Sequence, residues 1–387
     1  MARKRHVGEL PELLSGYVRK QIGTMQLVSF SCNAYSLVVS EINLQSANLF
    51  VGRNGTGKSY ALRCIEWLAD IISEKSWHPV VYDWKATFKD AKGNELTYSF
   101  GWAERSISIE HEELSLNGKQ LIKRNQKGCS VHSLITGKTE EITPPQTKLV
   151  INVRRDTKVY PEFEKLIQWA ESVYSFRFGT IVPDVTDIDR KLSKLNFAPL
   201  GQSKTDYSPA NLFASLKPEQ RRHIRDLMQK FGYDIDVLEV AGTTNALSLN
   251  YTEKGIPGIY DIAVMSQGTY RILILLLYFF QLLNAKNLQL LLIDDLGEGL
   301  DYSRAYKLGK FIFDACQEAN VQLIATSNDS FLMDAVPIDY WNVLRRKGSE
   351  ITALNEKNHP ELFKQFAYTG LSNFDFFSSD YIDSKLK

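Results

Sequence analysis

With 387 residues and 44% hydrophobic side chains, the chain can build a sizeable core, as one large domain with insertions or as more than one domain. A formal net charge of +1 removes any global electrostatic case for binding nucleic acid or a membrane surface, so such a surface would have to be local. Cys32, Cys64, Cys129 and Cys316 form no C-x-x-C pair and the six histidines no ligand spacing, which excludes a disulfide scaffold or zinc module and suits a reducing cytoplasm.

Residues 1–24 are basic from Arg3-Lys4-Arg5 onward, with helical spacing at Leu10, Leu13, Leu14 and Tyr17, and read as an arm. No apolar stretch follows the charges, so this is not a secretory signal. Residues 25–30 and 36–42 read as a strand pair leading to apolar Leu49-Phe50-Val51. That strand feeds Gly52-Arg53-Asn54-Gly55-Thr56-Gly57-Lys58-Ser59, a full match to the P-loop pattern G-x-x-x-x-G-K-[ST]. Glycines let the backbone N–H groups curl toward phosphate oxygens, Lys58 reaches the outer phosphates, and Ser59 ligates Mg²⁺. Ala61, Leu62, Ile65, Leu68 and Ile72 then recur at helical spacing, so a helix N-terminus meets the phosphates. The nucleotide contacts are assigned to Arg53, Asn54, Gly55, Thr56, Gly57, Lys58, Ser59 and Tyr60.

Alternating runs at 80–88, 95–100, 106–110 and 120–123, with turn chemistry at Asn117-Gly118, predict an antiparallel meander covering the nucleotide core. Residues 148–153 are expected to return as a strand. The stretch 156–232 reads as mainly helical, with an apolar stripe at Phe163, Leu166, Ile167, Ala170 and Val173. A later helix starts at Pro218 and stops at Gly232. Its Arg221, Arg222, His223, Arg225 and Lys230 make a solvated face, with DNA contact as the alternative. Strands follow at 235–240 and 246–251. The apolar run 272–280 is well short of the ~20 residues of a spanning helix, so it is expected to be a buried helix.

Residues 288–293, LQLLLI, form a central strand buried on both faces and ending in Asp294-Asp295. A carboxylate there holds Mg²⁺ beside Ser59, assigned to Asp294, and a second, Asp295, orients the attacking water. Ahead of the apolar helix, Ser266-Gln267-Gly268-Thr269 opens a helix with a hydroxyl and free N–H groups, an anion site for a γ-phosphate.

In this order the motifs GRNGTGKS, MSQGT and LLLIDD, with Asp301 in DDLGEGLD, resemble the ABC-type ATPase heads of the SMC/RecF/OLD branch, found in prokaryotic defence and DNA-repair systems. The resemblance spans about residues 25–346 and implies an α/β P-loop NTPase fold: an ABC-ATPase head carrying the β-meander and a helical insertion. It implies ATP and Mg²⁺ as cofactors and a head-to-head dimer, or a higher oligomer, sandwiching ATP. Ser266 and Gly268 of one subunit then close over the phosphate held by the other, and Asp301 matches the aspartate that couples the two sites. The chain departs from the family pattern in three places. Asp295 stands where a glutamate is usual, with Glu298 nearby to assist. Asn328 replaces the switch histidine in LIATSND and can hydrogen-bond a phosphate without accepting a proton. No glutamine fits the Q-loop well, Gln146 least badly.

The expected organisation is a basic arm (1–24), an ATPase N-lobe (25–155), a helical insertion (156–233), an ATPase C-lobe (234–350) and an aromatic tail (351–387). The tail's Phe363, Phe366, Tyr368, Phe374, Phe376, Phe377 and Tyr381 are expected to pack on the core, with a docking surface as the alternative. Without persistent heptads the chain has no tether for distant DNA. The residues after Asp301 are expected to finish the sheet, leaving no room for a nuclease domain. The function that follows is an ATP-gated, cytoplasmic dimeric switch controlling a separate effector such as a nuclease or toxin in anti-phage defence. The alternative is a RecF-like DNA-repair ATPase that clamps nucleic acid directly. No membrane partner is expected.

Overall fold

The computed structural model describes residues 25–34, 36–75, 81–103, 106–179, 208–243, 246–284, 288–367, 369, 372–378 and 382. The expected basic arm, the part of the helical insertion at 180–207, and the tail aromatics Tyr368 and Tyr381 lie outside these residues. In chain order, β1 (Met25–Ala34), β2 (Val38–Asn43) and β3 (Ala47–Val51) lead into α1 (Lys58–Ile72). The meander is β4 (Val81–Asp90), β5 (Glu95–Trp102), β6 (Ile109–Leu116), β7 (Lys119–Asn125), β8 (Gly128–His132) and β9 (Thr139–Ile142). Helices α2 (Val150–Val153) and α3 (Pro161–Glu171) precede β10 (Val173–Arg177). Then come α4 (Pro209–Ser215), α5 (Pro218–Lys230), and β11 (Ile235–Thr243), β12 (Ala246–Glu253) and β13 (Ile256–Asp261). The remainder is α6 (Gln267–Asn284), β14 (Leu290–Asp294), α7 (Tyr302–Glu318), β15 (Gln322–Thr326), α8 (Ser330–Ala335), β16 (Trp341–Lys347), β17 (Glu350–Leu354), α9 (Pro360–Ala367) and α10 (Asn373–Ser378).

One 14-stranded sheet runs β10-β14-β15-β3-β16-β17-β2-β1-β4-β5-β6-β7-β8-β9, and β11-β12-β13 form a separate three-stranded sheet. The stretch from β10 through β16 is parallel. Its strands are apolar throughout because both faces are covered. In β14, Leu291 and Ile293 face the core built with α6 and α7, while Leu290 and Leu292 face the one built with α1 and α3. Helix α6 lies inside the first core, and every residue from Ile272 to Leu283 is buried, as expected of a helix apolar on all sides. Among the described residues no helix is long and apolar enough to cross a membrane. Two side-chain amides fasten β1 to this centre in place of strand pairing. Gln322 accepts from Leu27 N and donates to Leu27 O and Gln45 O, and Gln289 accepts from Met25 N.

Several expectations change in the structure. The meander does not cover the nucleotide core as a layer of its own. It continues the same sheet, because β1 pairs β2 on one edge and β4 on the other. Residues Trp84, Phe88, Tyr98 and Phe100 turn toward α1 and α3, with Phe88 edge-on to Trp169 at 4.6 Å. The third expected run begins at Ile109 rather than 106, and β8 and β9 add a hairpin that the sequence reading passed over. The stripe through Val173 ends at Glu171, where Ser172 Oγ donates to Trp169 O, and Val173 opens strand β10 in the central sheet. In the tail, Phe363, Phe366 and Phe376 are buried against one another and Trp341, the packing role expected of them.

Residues 148–153 contain the short helix α2 instead of a strand, and the cause is a carboxylate. Glu112 of β6 is fully buried and accepts from Val150 N at 2.7 Å and from Tyr98 Oη at 2.9 Å, with Ile151 N also bonded to it. Arg124, 3.9 Å from the same carboxylate, donates to Lys148 O and Pro145 O. The N–H groups that a strand would offer a neighbour are already used. Burial pushes the Glu112 carboxyl up to about 7, against the pull of these donors. A folded-state value above the ordinary 4.5 means that the native state holds the proton more tightly. The resulting stability is present in full below about pH 4.5 and lost as pH rises toward about 7. Urea denaturation of wild type and Glu112→Gln from pH 5 to 8 is therefore expected to show the variant gaining on the wild type up to about pH 7, then levelling. A gap independent of pH would remove the assignment.

Candidate functional site

The P-loop joins the end of β3 to α1 at the C-terminal edge of the parallel strands. Gly57 adopts φ 95°, a left-handed conformation that favours glycine, and a Cβ there would also press on the tip of Ile351 at 2.3 Å. Thr56 donates to Arg53 O through its backbone N–H and its hydroxyl, which fixes the curl. Lys58 is buried, and its Nζ donates to Gly52 O at 2.8 Å. Burial lowers the Lys58 ammonium from its ordinary range, while the charges of Asp295 and Asp294 hold it up. Tyr60 does not join this cluster. Its hydroxyl is buried beside Cys64, and its ring packs edge-on to Trp67 at 5.9 Å.

Asp294 and Asp295 stand at the end of β14, tied to the end of β15 by a single hydroxyl. Thr326 Oγ1 donates to Asp294 Oδ1 at 2.7 Å and accepts from Asp295 N at 2.8 Å. The turn places Asp295 at φ 54°, the left-handed region that aspartate adopts more readily than most residues, and the bond from its N–H to Thr326 holds it there. Burial, then the nearby Asp294 and Glu298 charges, raise the Asp295 carboxyl, and Lys58 opposes them. A Cβ on Gly179 would meet Glu298 Oε2 at 2.0 Å and Asp295 Cβ at 2.9 Å, so the chain leaving β10 lies directly on the acidic turn. Arg271 fastens it there, donating to Gly179 O and Glu298 O, each at 3.1 Å.

The switch residue also arrives at the P-loop: Asn328 Nδ2 donates to Asn54 Oδ1 at 2.9 Å. Asp329 caps α8 by accepting from Leu332 N. Ser266, Gly268 and Asp301 form a second cluster. Ser266 Oγ shares a 2.6 Å hydrogen bond with Thr269 Oγ1, Gly268 packs on Leu300, and Asp301 caps α7 through Arg304 N. Gln146 sits against β6, its carbonyl accepting from Ile109 N, away from these turns in the sequence and in its bonding. Sequence reasoning missed Thr326, Gly179 and Arg271. A threonine ending an apolar strand pointed to the first. The other two act through backbone contacts that leave no pattern.

These residues fit ATP and Mg²⁺. Positive-φ glycines at 55 and 57 curl the loop, and among the described residues the buried Lys58 ammonium near two carboxylates is bonded at its tip to the loop carbonyls of Gly52 and Arg53. Among the described residues no group of three His, Cys, Asp or Glu side chains makes an all-protein metal cage. A magnesium ion bound largely by phosphate oxygens and water would need none.

A family profile described as "AAA domain, putative AbiEii toxin, Type IV TA system" matches residues 136–334. No curated protein matches the chain. Among solved structures the fold is similar to an SMC head bound to the C-winged helix domain of ScpA. That likeness has 11% identity and TM-score 0.50, covering 85% of this chain and 97% of that one. It is also similar to an Smc head domain with an extended coiled coil bound to the C-terminal domain of ScpA, from Pyrococcus furiosus. There the identity is 12% and the TM-score 0.50, covering 89% and 100%. At these identities the likeness is one of fold: a mixed α/β P-loop ATPase head.

Thr326→Val keeps the shape of the buried side chain but strands Asp295 N–H and frees Asp294. It is expected to cost about 1–3 kcal/mol in denaturant unfolding. A variant as stable as the wild type would show that the bridge contributes nothing.

Proposed function

This chain belongs to that AAA-domain family, and from this premise we propose that it is an ATP-hydrolysing switch that dimerises around nucleotide and controls a separate effector protein. The observation that carries the reading is the meeting of Lys58, Asp294, Asp295 and the Asn328–Asn54 pair at one edge of the sheet. Bound ATP with Mg²⁺ supplies the transferable phosphoryl group and neutralises charge as it develops. Backbone N–H groups of residues 55–59 and the Lys58 ammonium bind the phosphates, and Ser59 and Asp294 hold the metal ion. Asp295, its proton affinity raised by burial and neighbouring carboxylates, orients the attacking water and receives its proton, with Glu298 beside it. Asn328 donates to the outer phosphate oxygens from its amide. Its hydrogen bond to Asn54 already orients that amide over the loop. Ser266 and Gly268 serve the nucleotide of a second copy, and Asp301 lies between the two sites.

A profile description that names a toxin–antitoxin system accords with action through a second protein, in anti-phage defence by our reading, and the chemistry belongs to the cytoplasm. The alternative, a DNA clamp using α5, has less support. Arg221 donates to Leu216 O and Ala214 O and lies over the Phe213 ring, and Arg225 pairs with Asp226. Two of the expected phosphate-binding cations thus have internal partners, leaving Arg222 and Lys230 exposed.

Lys58→Ala is expected to abolish ATP binding in equilibrium titration with a fluorescent ATP analogue, and binding at wild-type strength would refute the P-loop assignment. Asp295→Asn is expected to keep binding while lowering turnover roughly 10²-fold, and to accumulate as a dimer with ATP and Mg²⁺ in sedimentation. Monomer alone under those conditions would defeat the sandwich. A pull-down of the tagged Asp295→Asn chain from its native host separates the two roles, with a stoichiometric effector expected and DNA-repair proteins on nuclease-sensitive DNA supporting the clamp.

A further inference from the structure

The turn before α6, carrying Ser266, Gly268 and Thr269, and the turn before α7, carrying Leu300 and Asp301, come from separate parts of the chain. Their contacts converge on two side chains that the assignments above leave unused. Arg304 Nη1 donates to Asp301 Oδ2 at 2.6 Å, and its Nη2 donates to Gly232 O at 3.1 Å. The same guanidinium lies over the Tyr233 ring, 4.3 Å from its centroid. Edge bonds and face stacking use different parts of one planar group, so its position is over-determined. Tyr233 is buried, and its hydroxyl lies against the other turn at Gly268. A Cβ on Gly268 would stand 3.9 Å from that hydroxyl and 3.1 Å from Leu300 Cδ2. Within that turn the Ser266 and Thr269 hydroxyls are bonded to each other.

The geometry points to Tyr233 and Arg304 as a brace that holds the Ser266 turn and the Asp301 turn in one register. They are positioning residues for both turns. The inference rests on the reading that these turns face the nucleotide of a second copy. Each turn offers phosphate contacts from a short capped segment, and a small relative shift would spoil their alignment. Tyr233 also lies between α5 and β11, so the helical insertion is part of the brace. A displacement of α5 would move the Tyr233 ring that follows it, and with it the Arg304 plane stacked on the ring and the side of the Gly268 turn that its hydroxyl meets. The insertion therefore acts on the two turns as a lever, and a partner seated on it would change both together.

Amide hydrogen exchange on the full chain reads the brace without turnover. Thr269 N, Tyr270 N, Leu300 N and Arg304 N are all hydrogen-bonded within the two turns. Tyr233→Leu is expected to raise exchange roughly tenfold in peptides from both turns while leaving residues 52–60 unchanged. A rise in one turn only, or in neither, overturns the brace. Arg304→Lys keeps the charge and loses the plane. It is expected to give the same paired rise at smaller size, and it carries the test should Tyr233→Leu not fold. In steady-state kinetics Tyr233→Leu is expected to lower kcat about tenfold with KM within about twofold, and Tyr233→Phe, which keeps the ring under Arg304 but loses the hydroxyl at the Gly268 turn, to restore part of the loss. An unchanged kcat beside the paired rise overturns the positioning role. A wild-type chain that binds no nucleotide defeats the site reading instead, and the exchange result still decides the brace.

Discussion

The ammonium of Lys58 and the carboxylates of Asp294 and Asp295 share one partly dry corner, where the single cation offsets two anions that repel each other. Burial works against the charge on Lys58 and on Asp295, while their mutual attraction works for it. The balance depends on where the strand ends fall. β3 and β14 never touch: β15 stands between them, and its Thr326 hydroxyl fixes Asp294 and the Asp295 backbone. A parallel centre with its carboxyl ends in register brings three distant segments to one edge, where open α/β sheets place their ligands.

The remaining architecture keeps that edge still. Covering both faces of the parallel strands leaves them no freedom to slide, since a one-residue slip would exchange every side chain between the two cores. Gln322 and Gln289 use side-chain amides to join β1, and so the meander, to the centre where strand pairing stops. On the far side, Arg271 ties the start of α6 to the acidic turn through two carbonyls. The turns at the carboxyl edge of the parallel strands thus belong to one bonded framework.

Much of this was legible in the sequence because it was carried by local pattern. The P-loop, the buried strand ending in two aspartates, and the helix from Pro218 to the turn at Gly232 all announce themselves in a few consecutive residues. The apolar run of α6 was correctly a buried helix, because its length falls short of a membrane. What stayed hidden depends on distant partners. Nothing in VINV forbids a strand until Glu112, a residue from another strand, takes its N–H groups. Val173 continues a helical stripe by spacing, and only the empty edge of β14 draws it into the sheet. Tyr60 follows the P-loop serine, and the sequence alone does not show that its ring packs against Trp67.

The parallel centre also sets a timetable for synthesis. Ala47 pairs Leu323, and on its other side β3 pairs β16, so both neighbours of the P-loop strand emerge late from the ribosome. At about 5–20 residues per second the strand waits on the order of tens of seconds for a partner. During that interval ANLFV presents unpaired backbone on two sides, while β4 through β9, whose contacts are sequential hairpins, can close early. The nascent chain therefore carries an unpaired strand beside an already folded neighbour, an exposed edge of the kind that a chaperone would shield.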